Sequence, residues 1–135
     1  MKTLIATFLI IIHFSINPIA TLANTKSDEL PTCVVITHCV REDWHVNDVE
    51  ESFAKALEAI SNTPRTKIIE KSDSFIHAEA KTKWRRYTDD LLVKAIPNKS
   101  IIQVRSESRV GIGDNGVNQK RINELAYRLT TNQLK

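Results

Sequence analysis

All three glycines of this 135-residue chain, Gly111, Gly113 and Gly116, fall within six residues of one another. Arg105 and Arg109 precede them, and Lys120 and Arg121 follow. Glycine serves where φ must be positive or where a backbone must come close to another group. A turn rich in free N–H groups, flanked by cations, has the ingredients of an anion site. The candidate binding residues are therefore Arg105, Arg109, Gly111, Gly113, Asn115, Gly116, Asn118, Lys120 and Arg121. The partner they imply is an anionic small molecule or an acidic protein surface. Asp89, Asp90, Glu107 and Asp114 are the supporting acids, four against the four cations Arg105, Arg109, Lys120 and Arg121. The competing reading of the same residues is an internal ion-pair network that fixes the turn. Such pairs contribute little on a surface and set geometry more than stability when buried.

Two features weigh on this choice. Lys120 and Arg121 fall in the first turn of the last expected helix, where the dipole favours acids by a typical ~0.3–1 kcal/mol per charge. A bound anion would explain cations in that place. The glycines also fit G-x-G-x-x-G between an expected strand and an expected helix, the setting of the dinucleotide fingerprint. That fingerprint belongs to a βαβ unit, and no parallel strand follows here. Asp114 would also set a negative charge where a pyrophosphate should lie.

Other residues offer other chemistry. His77 and Glu79 share a strand face, and with Asp89 or Asp90 they form the set a small hydrolase would use for acid–base work. The plainer reading is the polar face of a half-exposed sheet. Cys33, His38, Cys39 and His45 do not match zinc-ligand spacing, which pairs a C-x2–4-C element with a second such element, so no metal is expected. Trp44, Trp84 and Tyr87 could line a pocket, though aromatics more often anchor a core or its edge. Ser106 and Ser108 lie between arginines on the face expected to be buried, and no Gly-x-Ser-x-Gly elbow is present. No catalytic residue and no cofactor is assigned, and an enzyme is the less favoured class.

The elements that must position these residues follow from periodicity. A helix is expected over Asp48 to Ile60, with Val49, Phe53, Ala56, Leu57 and Ile60 on one face. Asn47 is its expected cap, with Glu50 in the capping-box position. Thr66 to Lys71 and Phe75 to Lys81 form a hairpin about Ser72-Asp73-Ser74. Strands over Arg86 to Ile96 and Ile101 to Val110 follow, joined at Pro97-Asn98-Lys99. On the last of these, Arg105, Glu107 and Arg109 share one face, and Val104, Ser106, Ser108 and Val110 the other. A closing helix runs from about Asn118 to Thr131, with Ile122, Leu125, Ala126 and Leu129 as its apolar stripe. The fold class is α+β: a four-stranded antiparallel meander covered by an N-terminal and a C-terminal helix.

Residues 1–23 have the order of a secretory signal: basic start, apolar run from Leu4 to Ile16, and small residues ending at Ala23. That run is shorter than the ~20 residues of a spanning helix, and nothing later is apolar enough to span. Residues 24–31 are expected as a flexible tether and 32–135 as one domain. An exported protein is the implied class, in a periplasm, a thylakoid-lumen-like compartment or outside the cell. The formal charge is +3, of which Lys2 contributes one within the signal. Basic and acidic residues alternate, which argues against nucleic acid as partner. A disulfide between Cys33 and Cys39 is permitted in an oxidising compartment. It requires a turn, because seven residues of extended strand would hold the two sulfurs ~20 Å apart. Val34-Val35-Ile36 looks strand-like, so both states stay open. Oligomeric state is not legible.

The stretch Arg105-Ser106-Glu107-Ser108-Arg109-Val110-Gly111, with Asp114-Asn115-Gly116-Val117-Asn118-Gln119-Lys120-Arg121, resembles the hallmark of the domain of unknown function family 1499. Cys39-Val40-Arg41, Thr63-Pro64-Arg65-Thr66, His77-Ala78-Glu79-Ala80 and Tyr87-Thr88-Asp89-Asp90-Leu91 are similar too. The resemblance spans about Pro31 to Leu129. It implies a bacterial or plastid-type protein and no particular activity. The leading expectation is thus a non-catalytic binding or assembly domain. The alternatives are the hydrolase set above or a structural subunit of an envelope or lumenal complex.

Overall fold

A computed structural model describes residues 28–111 and 113–131. The expected signal, residues 1–23, lies outside the described residues, as does the first part of the expected tether.

Five strands make one antiparallel sheet: β1 (Cys39–His45), β2 (Thr66–Lys71), β3 (Phe75–Lys81), β4 (Thr88–Ile96) and β5 (Ile101–Ser108), in the order β1-β5-β4-β3-β2. Strands β2 to β5 are the expected meander. The fifth strand, β1, corrects the expectation of four. It pairs antiparallel with β5, from Cys39 opposite Glu107 to His45 opposite Ile101. Its sequence, CVREDWH, hid it. Only Val40 and Trp44 of its inward positions are apolar, and Glu42 between them breaks the alternation by which a strand is recognised. Helix α1 (Val49–Ser61) therefore follows a strand and carries the chain from one edge of the sheet to the other. Helix α2 (Val117–Thr131) closes the fold.

Both helices lie on the same face. Phe53, Ala56 and Ile60 of α1 and Ile122, Leu125 and Leu129 of α2 bury against Ile76, Ala78, Leu91, Val93, Ile102 and Val104. These strand residues alternate with outward ones, as a sheet with one covered face requires. The cap of α1 is Asp48, one residue later than expected; its carboxylate accepts from the N–H of Glu51 at 2.8 Å. Strand β4 begins two residues late and β5 ends two residues early, so Val110 lies exposed beyond the ladder and not on the buried face. Beside Ile69 the β2–β3 register slips by one, which leaves that side chain in solvent.

The outward face of the sheet is partly covered by the chain itself. Leu30 is buried there, and its N–H donates to Gln103 Oε1 at 2.8 Å. Glu29 accepts from Lys99, Arg41 and Gln103. The tail of the expected tether, residues 28–31, is thus in part docked on the sheet. The signal for this was slight: Leu30 is a single apolar residue in a polar stretch.

Candidate functional site: a cationic groove at one end of the sheet

The residues singled out in the sequence do not form one site. Period-two alternation sends them to opposite faces of β5. Arg105 and Glu107 face outward, and Arg105 donates to Glu107 Oε2 at 2.6 Å. Just beyond the strand, Arg109 donates to both oxygens of Asp90, at 2.7 and 2.8 Å, and to Glu79 Oε1 at 2.7 Å. His77 Nε2 lies 2.6 Å from Asp90 Oδ1. The Arg109 hydrogen bonds hold the Asp90 carboxyl below its usual range, with His77 assisting and partial burial opposing. The same carboxylates raise Arg109. A planar fork is well suited to such bidentate pairing. The hydrolase set is therefore divided: His77, Glu79 and Asp90 share the outward face, braced by Arg109, while Asp89 points to the other side.

On the helix side the network is buried. Asp89 has no exposed surface, and Arg121 donates to its Oδ2 at 2.7 Å. Arg121 also donates to Ser106 Oγ at 2.9 Å and Asn118 Oδ1 at 2.6 Å. Asn118, itself fully buried, accepts from Ser106 Oγ at 2.6 Å. Its amide nitrogen donates to Ser108 Oγ at 2.9 Å and to the His38 carbonyl at 3.0 Å. Two serines, an asparagine, an arginine and an aspartate thus pin the first turn of α2 to β4, β5 and the start of β1. Ser106 and Ser108 face inward as expected. Among the described residues, His38 Nδ1, Arg41 Nε, Asp89 Oδ1 and Arg105 Nε are buried without a hydrogen-bond partner.

The helix start needs no external anion. The Asp114 carboxylate accepts from the N–H groups of Gly116 at 2.9 Å and Asn118 at 2.8 Å. Burial works against its ionisation, and these backbone donors outweigh it, so its pKa is lowered. They are the amides that an unoccupied helix terminus leaves free. Arg121 is accounted for by Asp89. Lys120 is different: its side chain is 76% exposed, and among the described residues its one ion pair is the 3.9 Å contact with Glu124. The turn itself uses positive φ at Gly111, Asn115 and Gly116. The third glycine serves by closeness: a Cβ on Gly113 would lie 3.7 Å from the Thr37 carbonyl, and the next N–H, of Asp114, donates to that oxygen at 3.2 Å.

Beside this turn runs a groove of about 660 Å³. Its far wall is the β3–β4 loop, residues 82–87, closed by Thr82 N–H to the Tyr87 carbonyl and Tyr87 N–H to Thr82 Oγ1, both at 2.9 Å. The cations on its walls are Arg65, Lys81, Lys83, Arg85, Lys120 and Arg121; the acids are Asp89, Asp114 and Glu124. Asp89 is spent on Arg121 and Asp114 on the helix amides. Among the described residues, no carboxylate pairs with Arg65, Lys81, Lys83 or Arg85. Arg65 and Arg86 sit at positive φ, 58° and 54°, an uncommon conformation for such side chains. Trp84 stands at the rim with Lys83 Nζ 5.4 Å from its ring centre. Of the expected binding residues, Gly111, Gly113, Asn115, Lys120 and Arg121 line this groove; Arg105, Arg109, Gly116 and Asn118 do not. Apart from Arg65, the missed cations lie in Lys81-Thr82-Lys83-Trp84-Arg85-Arg86-Tyr87, four basic residues and no acid. That local run is the signal that overall alternation of charge concealed.

A family model described as a protein of unknown function, DUF1499, matches residues 23–129. The chain belongs to that family. No curated protein matches it. The matched region of this DUF1499 chain takes in every strand, both groove walls and nearly all of α2.

Cys33 and Cys39 are joined by a disulfide, with their Cα atoms 5.6 Å apart. The apparent strand at Val34-Val35-Ile36 is a turn that folds Cys33 back on the start of β1. Both sulfurs are thereby withdrawn from thiolate chemistry. Among the described residues, no helix is long and apolar enough to cross a membrane.

Proposed function

We propose that this chain is a non-catalytic binding domain whose groove at the foot of α2 receives an anionic group. The observation that carries the reading is unbalanced charge: once Arg121 and Asp89 cancel each other, Arg65, Lys81, Lys83, Arg85 and Lys120 line the groove against Asp114 and Glu124, and Asp114 is held by the helix amides. Walls of low dielectric focus such a field into the cleft. Lys120, Lys83, Arg85, Lys81 and Arg65 would contact the ligand, with Gly111, Gly113 and Asn115 as the opposite rim. Arg121, Asn118 and Asp89 would act as the frame. Arg105, Arg109, Glu107 and Asp90 would brace the outward face.

The signal-like residues 1–23 support a site of action outside the cytoplasm, in a periplasm, a lumen or the exterior. The disulfide is consistent with that, since such bonds persist in oxidising compartments.

The hydrolase alternative has one observation in its favour, the 2.6 Å contact of His77 with Asp90. Asp90 is held by two bonds from Arg109, however, and serves better as a brace than as a proton carrier. A thermal shift series with inorganic phosphate and with carboxylates separates the readings. The groove reading expects stabilisation of the wild type and its loss in Lys83→Ala/Arg85→Ala. Equal stabilisation of both proteins, or none of either, would remove it.

A further inference from the structure

Among the described residues, eight large apolar side chains are exposed, and six of them come from three loops. Val34, Val35 and Ile36 belong to the disulfide-closed loop, Trp84 and Tyr87 to the β3–β4 loop, and Val110 to the turn after β5. The strand register sets these loops at one end of the sheet. Cys39 opens β1 opposite Glu107, Asp89 lies opposite Ser108, and Thr88 opposite Lys81. The loops are also in direct contact or share the groove. Asp114 N–H donates to Thr37, Ser108 N–H to the His38 carbonyl, and both Trp84 and Val110 line the cleft. Around the same end stand Arg65, Lys81, Lys83, Arg85, Arg86 and Lys120.

We infer that this end of the molecule seats on an anionic lipid bilayer. The inference rests on the anion-binding reading of the groove and names the source of the anion, a lipid phosphate. Val34 and Ile36, 89% and 82% exposed, enter the boundary between headgroups and acyl chains. Trp84, 87% exposed, sits at headgroup depth with Lys83 beside it. Aliphatic tips, an interfacial tryptophan and a ring of lysine and arginine are the three components by which a surface-bound protein holds an anionic membrane without spanning it. Exposed apolar side chains gathered at one end of a molecule in this way mark an interaction site.

The shape selects the partner. Val34 and Ile36 stand almost wholly in solvent, and a fluid acyl layer accepts such side chains without a matching pocket. Valine and isoleucine offer nothing to a nucleic acid, whose bases stack on aromatic rings. The Cys33–Cys39 disulfide closes the loop that carries them, which lowers the ordering cost of docking.

Because the apolar segment 4–16 would itself adhere to lipid, the test must read the loop end directly. In the full chain carrying Trp44→Phe, Trp84 is the sole tryptophan. Its emission is followed against vesicles containing brominated acyl chains, made of phosphatidylglycerol mixed with phosphatidylcholine or of phosphatidylcholine alone. The expected result is strong quenching on the anionic vesicles, reduced at least tenfold in apparent affinity by Val34→Asp/Ile36→Asp and by high salt. Circular dichroism and an intact disulfide show that the variant is folded. Val34→Asp/Ile36→Asp should keep its thermal shift with inorganic phosphate, which separates the bilayer from the groove. Phosphate stabilisation without Trp84 quenching on any vesicle would overturn the bilayer inference and leave the groove reading standing. Equal quenching on neutral vesicles would overturn it too. Saturable binding to polyglutamate with no quenching would point instead to an acidic protein.

Discussion

Arg121 donates to the fully buried Asp89 Oδ2 at 2.7 Å, across the interface between α2 and β4. The two residues are 32 apart in sequence, and their pairing explains a cation in the first turn of a helix. Removing one partner leaves an uncompensated buried charge. Arg121→Ala should destabilise the fold by about 3–5 kcal/mol in urea unfolding. The double variant Arg121→Met/Asp89→Leu should recover most of that loss, because replacing both ions by apolar groups removes two desolvation costs.

Asn118 is the hub of the same network, with four hydrogen bonds from its side chain. Asn118→Ala should cost about 2–3 kcal/mol, since Ser106, Ser108 and the His38 carbonyl lose a partner in a buried place. Hydrogen exchange should localise the loosening to the first turn of α2 and the start of β1.

Asp90 carries the acid sensitivity of the outward face. Its folded pKa is depressed by Arg109 below the unfolded value of about 3.9. Its stabilising share is therefore fully present above that value and is lost as pH falls through the lower, folded pKa. Arg109→Ala should cost little stability at neutral pH, because the pair is partly solvated. It should also flatten the decline in stability below about pH 4, measured by urea unfolding across an acid series.

The Cys33–Cys39 bond closes a short loop. Chain-entropy reasoning assigns such a loop about 2 kcal/mol. Cys33→Ser/Cys39→Ser should lose about that much while keeping the sheet, because only the exposed loop tip depends on the bond. Far-ultraviolet circular dichroism with chemical unfolding checks both statements.

Strands β3 to β5 and the two helices were legible from the spacing of their apolar residues, and β2 from its β-rich composition and the Ser72-Asp73-Ser74 turn after it. Strand β1 was not, because Arg41, Glu42 and Asp43 mask its alternation, and its pairing to β5 depends on residues far away in the chain, from His45 with Ile101 to Cys39 with Glu107. The 105–121 stretch announced its importance through its glycines and charges. What it could not announce was the division of those charges by the sheet: Arg105 and Arg109 to one side, Ser106, Asn118 and Arg121 to the other. Nor does a linear pattern reveal that the loop at 82–87 faces the glycine turn across a groove. That follows only from the antiparallel register, which puts Lys81 opposite Thr88 and Asp89 opposite Ser108.

The most direct test of the groove is amide shift mapping by NMR during a titration with inorganic phosphate. The account predicts saturable shifts at residues 81–87 and 111–120, with Lys120 and Lys83 foremost and little change at Arg105 or Arg109. Shifts confined to the outward face, or no saturable shift at the groove, would contradict it.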